Sequence, residues 1–206
     1  MTRTNRFPFI GITGGIGAGK SRIIDFIESN YNAKVLLADD VAKDLMKMGT
    51  STYDEIKDAF SDYDILRNDG ELERNKLAKI VFSNKEALMK LNSIVHPAVK
   101  ERVVEIYREE AEKGKYDCFF LEAALLIEEH YDEICDELWY IYASEETRRD
   151  RLKNSRGYSD EKISEIFRNQ LKEDVFREKC KVVIDNNGDF SKCEMDIREN
   201  IEKLWE

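Results

Sequence analysis

The run Gly14-Gly15-Ile16-Gly17-Ala18-Gly19-Lys20-Ser21 leaves this chain few ways to fold. Four glycines in six positions let a backbone turn tightly and approach a ligand without a Cβ in the way. Phe7 to Thr13 before the run is short and apolar, as a buried strand is, whereas Ile23, Ile24, Ile27 and Tyr31 after it recur at helical spacing. The reading is strand, glycine loop, helix. Gly14-x-x-x-x-Gly19-Lys20-Ser21 fits the P-loop pattern at every fixed position, in the strand-to-helix context that the pattern needs. Backbone N–H groups from Gly14, Gly15, Ile16, Gly17, Ala18 and Gly19 are expected to wrap a nucleotide's β-phosphate at the positive end of the helix dipole. Lys20 is expected on the β- and γ-phosphates as a point charge, and the Ser21 hydroxyl on Mg²⁺.

The rest of the chain extends that beginning. Ala33 to Ala38 reads as a second strand, followed by a helix through about Met48. From about Thr50 to Glu112 the periodicity is almost entirely helical, with Val99, Val103, Ile106 and Tyr107 on one face of a helix that Pro97 is expected to open. Strands resume at Tyr116 to Glu122, Glu137 to Ala143 and Lys181 to Ile184. Amphipathic helices are marked by Ile163, Ile166, Phe167 and Leu171, and by Ile197, Ile201 and Leu204. Five strands with helical crossovers predict an α/β fold: a five-stranded, mainly parallel sheet of P-loop NTPase type with helices on both faces. An inserted helical substrate lobe and a helical lid complete it. With no repeat or linker in 206 residues, a single domain is expected, its core at about 1–48, 115–147 and 178–206, its lobe at 49–114 and its lid at 148–177.

Composition excludes several classes. A net charge of −10 repels a phosphodiester backbone, so no nucleic-acid partner is expected. No apolar run reaches the roughly 18 to 20 residues of a membrane helix, and the N-terminus turns Gly-rich too early for a signal peptide. Cys118, Cys135, Cys180 and Cys193 form no Cys-x-x-Cys pair and read as reduced thiols. A cytoplasmic protein follows, without a membrane partner, as a monomer or weak homo-oligomer.

Other residues carry chemistry by position. Asp39 and Asp40 sit where the second strand ends, on the side where ligands bind in parallel sheets. Asp40 reads as the N-cap of the next helix, and Asp39 as a carboxylate able to take a proton from an attacking hydroxyl. Glu122 ends an apolar strand, where it fits either the water shell of a metal or a capping role. Arg148, Arg149, Arg151, Lys153 and Arg156 share nine residues with one acid, Asp150. Such a run is usually a solvated helix face, but phosphoryl transfer needs cations over the leaving phosphates, and Arg148 and Arg151 are the leading pair. His96 before Pro97 is open between cap, packing and function, and Trp139 and Tyr158 read as core or rim.

Nearly end to end, the chain resembles the dephospho-CoA kinase family. Ile10 to Ser21 is similar to that family's Thr-Gly-Gly-Ile-Gly-Ser-Gly-Lys-Ser signature, and Ala38-Asp39 to its Asp-Ala-Asp segment. The resemblance makes Asp39 the base for a ribose 3′-hydroxyl. Gly70 to Arg74, Leu77 and Val95-His96-Pro97 resemble the substrate lobe, which makes Arg74 and His96 acceptor contacts. Glu122 to Glu128 matches the family's Asp-x-Pro-Leu-Leu-x-Glu segment and adds Glu122 to the acceptor side. Arg151 to Arg156 and Gln170 match the lid, and Ile184 to Gly188 the adenine-side loop, with Asn186. Leu37 stands where the family has its first aspartate, Ala124 where it has proline, and the lid arginine falls at Arg156 rather than at Ser155. The implied substrates are ATP with Mg²⁺, and dephospho-CoA. A P-loop kinase for another nucleoside or nucleotide is the nearest rival, since acceptor choice lives in the lobe. A GTP-hydrolysing switch is the more distant one, because no guanine-reading Asn-Lys-x-Asp box follows a late strand.

Overall fold

The computed structural model describes residues 7–205. The chain forms two compact units, Met1–Leu36 with Glu109–Glu206, and Leu37–Arg108.

The first unit is built on a sheet of β1 (Phe9–Thr13), β2 (Ala33–Leu37), β3 (Cys118–Glu122), β4 (Glu137–Tyr142) and β5 (Val182–Asp185). The strand order is β2-β3-β1-β4-β5, and β1 pairs in parallel with both β3 and β4, as β4 does with β5. It is a parallel five-stranded sheet with helices on both sides, as the alternation predicts. Central position explains composition: every residue of β1 is buried, and Phe119, Phe120, Leu121, Trp139 and Ile141 are inaccessible. Trp139 is therefore core, its ring edge-on to Phe120 with centroids 5.5 Å apart. Asp136 fixes the register at the base of the sheet by accepting from Phe9 N at 2.8 Å while its own N–H donates to Phe9 O.

Helices α1 (Lys20–Asn30), α6 (Glu145–Arg156), α7 (Asp160–Arg168), α8 (Glu173–Lys179) and α9 (Phe190–Glu202) belong to this unit. Ile23, Ile24, Phe26 and Ile27 form the buried stripe of α1, and Phe190, Cys193, Ile197 and Ile201 that of α9. Ser144 and Ser159 cap α6 and α7 by accepting from the N–H three residues on. Cys118, Cys180 and Cys193 are buried and Cys135 is partly so, all four as free thiols.

The second unit holds α2 (Ala38–Leu45), α3 (Ser51–Ala59), α4 (Arg74–Ser83) and most of α5 (Lys85–Lys113). Helix α5 corrects one expectation: Pro97 does not open a helix but lies inside one of 29 residues. Proline costs the N–H that would bond Ser93 O, yet its ring is exposed while Val95, Val99 and Val103 bury one face through the interruption. Packing on that face outweighs the lost bond. His96 thus sits in mid-helix, half-buried, which removes its capping reading.

Candidate functional site

β1 hands the chain directly to the glycine loop, and α1 begins at Lys20 with Gly19 as N-cap at φ 91°. That left-handed conformation suits glycine alone, and no side chain caps the helix there, so its first turn keeps the anion-attracting character of a bare N-terminus. Within the loop, Ala18 N donates to Gly15 O at 3.1 Å. Lys20 folds back over it: Nζ donates to Gly14 O at 2.8 Å and lies 3.5 Å from Glu122 Oε1, with side chains only 14% and 18% exposed. Glu122 ends β3 and is followed by turns rather than a helix, so its capping alternative falls and its partner is the loop lysine.

Helix α6 presents two faces. Toward the loop, Arg148 stacks its guanidinium 4.1 Å from the centroid of the Phe167 ring, and Nη2 donates to Gln170 Oε1 at 3.2 Å. Its Nη1 occupies the space that a Cβ on Gly15 would need. Burial pushes the Arg148 pKa down, but guanidinium starts so high that it stays a cation. Its Nε is buried and without a hydrogen-bond partner. A desolvated cation with an unsatisfied N–H is costly until an anion reaches it.

Arg151, one turn on, grips the loop from outside. Nη1 donates to Ala18 O at 3.1 Å and Gly17 O at 3.4 Å, and Nη2 to Asn186 O at 2.6 Å. Asn186, 4% exposed, donates its own Nδ2 to Ala18 O at 2.7 Å, while its N–H reaches Tyr142 O at the end of β4. On the far face, Arg149 binds Glu145, Asp160 and Ser164, and Lys153 binds Asp160 at 2.8 Å, tying α6 to α7. Arg156 is exposed. The arginine cluster therefore splits: 148 and 151 meet the glycine loop, whereas 149, 153 and 156 form the solvated face that such runs usually make.

In the second unit, Asp39 and Asp40 occupy the first turn of α2, whose N-cap is Leu37. This corrects Asp40 as N-cap. β2 ends in extended backbone at Leu37 and the helix starts at the next residue, so both acids are inside it, beside its positive dipole end. Asp40 pairs with Lys43 at 2.6 Å and, as the main cause, raises the pKa of Lys43. Asp39 and Arg74 also act on that lysine, and Arg74 Nη2 donates to Lys43 O at 2.8 Å. Asp39 and Arg74 are both exposed.

One contact had no signal in the sequence. Phe167 reads there as a core residue of an amphipathic helix, yet it is the platform under Arg148. Only its place three residues before Gln170 offers a hint. Tyr158 is a rim residue, with the Lys162 ammonium 3.8 Å from its ring centroid.

Comparison with known proteins gives a consistent answer. Residues 8–192 match the family model described as dephospho-CoA kinase. The chain is 35% identical over 181 residues to a dephospho-CoA kinase of Carboxydothermus hydrogenoformans, covering 88% of this chain and 86% of that one. It is 32% identical to one of Staphylococcus aureus, covering 96% and 91%. Among solved structures, a Thermus thermophilus protein superposes with a TM-score of 0.78 at 29% identity, covering 97% of this chain and 99% of that one. The dephospho-CoA kinase of Campylobacter jejuni, at 22% identity and 96% coverage of both chains, shares the fold with a TM-score of 0.70.

Proposed function

The chain belongs to the dephospho-CoA kinase family, and on that premise we propose that it transfers the γ-phosphoryl group of ATP to the ribose 3′-hydroxyl of dephospho-CoA, giving coenzyme A and ADP. The observation that carries this reading is the meeting of Lys20, Arg148 and the uncapped start of α1 on one glycine loop. Three sources of positive potential on a close-approach backbone suit a polyphosphate and little else.

In the proposed reaction the triphosphate lies along Gly14 to Lys20. Asp39, just past the carboxyl end of β2, takes the proton of the 3′-hydroxyl as its oxygen attacks the γ-phosphorus in line, and the bridging oxygen leaves with ADP. Lys20 and Arg148 neutralise charge spreading onto the transferring oxygens. Lys20 is released from Glu122 when the phosphates arrive, and the acid turns to the acceptor side. Arg74 and His96 serve as acceptor contacts, and Asn186 borders the adenine.

The Ser21 hydroxyl, on the exposed first turn of α1, is a hard oxygen donor of the kind Mg²⁺ takes, and so is Glu122 through water. Mg²⁺ held by Ser21, and by Glu122 through water, would supply neutralisation of the phosphate charge. The enzyme works in the cytoplasm as a monomer or weak homo-oligomer, a setting supported by four free thiols. Incubation with Mg-ATP and, separately, dephospho-CoA, adenosine, CMP and phosphopantetheine tests the reading by ADP release. Release with dephospho-CoA alone is expected; release with a nucleoside or nucleotide instead would move the chain to another acceptor.

A further inference from the structure

We propose that Arg151 and Asn186 are positioning residues that lock the Ala18–Gly19 peptide plane, so that the Gly19 N–H is presented to the β-phosphate. The proposal rests on the ATP reading above and assigns these two side chains a part other than contact with phosphate or base.

The argument starts from one carbonyl. Ala18 O accepts from Arg151 Nη1 at 3.1 Å and from Asn186 Nδ2 at 2.7 Å, so both its lone pairs are engaged from the same side of the loop. In a trans peptide the C=O of one residue and the N–H of the next point in opposite directions, and the described chain has no cis bond. Holding Ala18 O outward therefore turns the Gly19 N–H inward. Gly19, with φ in the left-handed region and no side-chain cap, is free to choose that plane, so the choice has to come from its surroundings.

The two donors are themselves held. Arg151 Nη2 donates to Asn186 O at 2.6 Å, and the Asn186 N–H donates to Tyr142 O at 2.8 Å, so the clamp is anchored to the end of β4. A Cβ on Gly19 would collide with Asn186 Nδ2, so the glycine that presents the amide is also the one that admits the clamp. Arg151 spends both terminal nitrogens on backbone carbonyls, in contrast to Arg148, whose Nε has no partner. Asn186 is 4% exposed and spends its Nδ2 on the loop, so that donor serves the carbonyl even where the residue borders the adenine.

Two charge-preserving substitutions in the full chain test this, with Mg-ATP and Mg-ADP binding measured by calorimetry. Arg151→Lys keeps the cation but cannot span the carbonyls of residues 18 and 186 together. Asn186→Ala removes the second donor without changing charge. Each is expected to weaken ATP and ADP by the same factor, about tenfold, as one buried hydrogen bond is lost. The double variant is expected to fall short of the product of the two factors, because both side chains act on one oxygen. KM for ATP should rise more than kcat falls, and the Gly19 amide proton should lose the downfield shift that ADP induces in the parent chain. A loss confined to ATP would instead make Arg151 a contact of the transferring phosphate and overturn the proposal, as would fully multiplicative effects or an unchanged Gly19 shift. A parent chain that binds neither nucleotide would sink the kinase reading as well, which keeps the two failures distinguishable.

Discussion

Arg148 is held where a neutral side chain would be more comfortable, over Phe167 and against Gly15, with its Nε unsatisfied. That cost makes sense if a phosphate completes the site. Arg148→Met is expected to lower kcat by about a hundredfold or more, the scale of losing a preorganised donor to developing charge. Gly15→Ala should approach the same loss by pushing the guanidinium off the loop. Thermal unfolding run beside the kinetics checks that each variant folds, and normal turnover in folded Gly15→Ala would remove Arg148 from the chemistry. Asp39→Asn is expected to lower turnover about a hundredfold while ATP affinity barely moves, because only proton transfer is lost. Steady-state kinetics with separate nucleotide titration decides that. The glycine loop and the start of α1 at Lys20 were legible in sequence because they follow from local backbone shape. The status of Asp40 was not, since a cap depends on the residue at which β2 stops, which its backbone pairing beside β3 decides.

Helix α6 shows what a charge run hides. From the sequence its five cations are equivalent, but helical periodicity sends Arg148 and Arg151 to one side and Arg149 to the other. Arg149→Met breaks pairs with the exposed Glu145 and Asp160, so it is expected to lower the urea midpoint only slightly. The cap of the same helix matters as much or more. Ser144 Oγ accepts from Thr147 N at 3.2 Å, and Ser144→Ala should destabilise by about 1 kcal/mol. A larger cost for Arg149 than for Ser144 would show that the far face of α6 is more than a solvated surface. In α5 the local signal misled: proline is a strong helix punctuator, yet the valines on either side of Pro97 share one buried face and keep the helix continuous.

The protein as a unit should be sensitive to alkali. Burial pushes the thiols of Cys180 and Cys193 up to about 12 from 9.0, and the hydroxyls of Tyr131 and Tyr140 up to about 12 from 10.0. Above their ordinary values the unfolded chain loses these protons while the folded chain keeps them, so stability is full below pH 9 and falls as pH rises toward 12. The urea midpoint is therefore expected to drop between pH of about 8 and about 10.5. A flat midpoint would mean that these groups meet solvent in the folded state. From the amino-acid order alone came the strand, glycine loop and helix, and the parallel sheet, because periodicity and missing Cβ atoms act over a few residues. Which arginines serve the loop was decided only by the tertiary structure. β4 pairs beside β1 and β5 beside β4, so the segments leaving those strands, α6 and the Asn186 turn, arrive next to the loop that leaves β1. That proximity joins residues more than 130 apart in the chain, and no local preference encodes it.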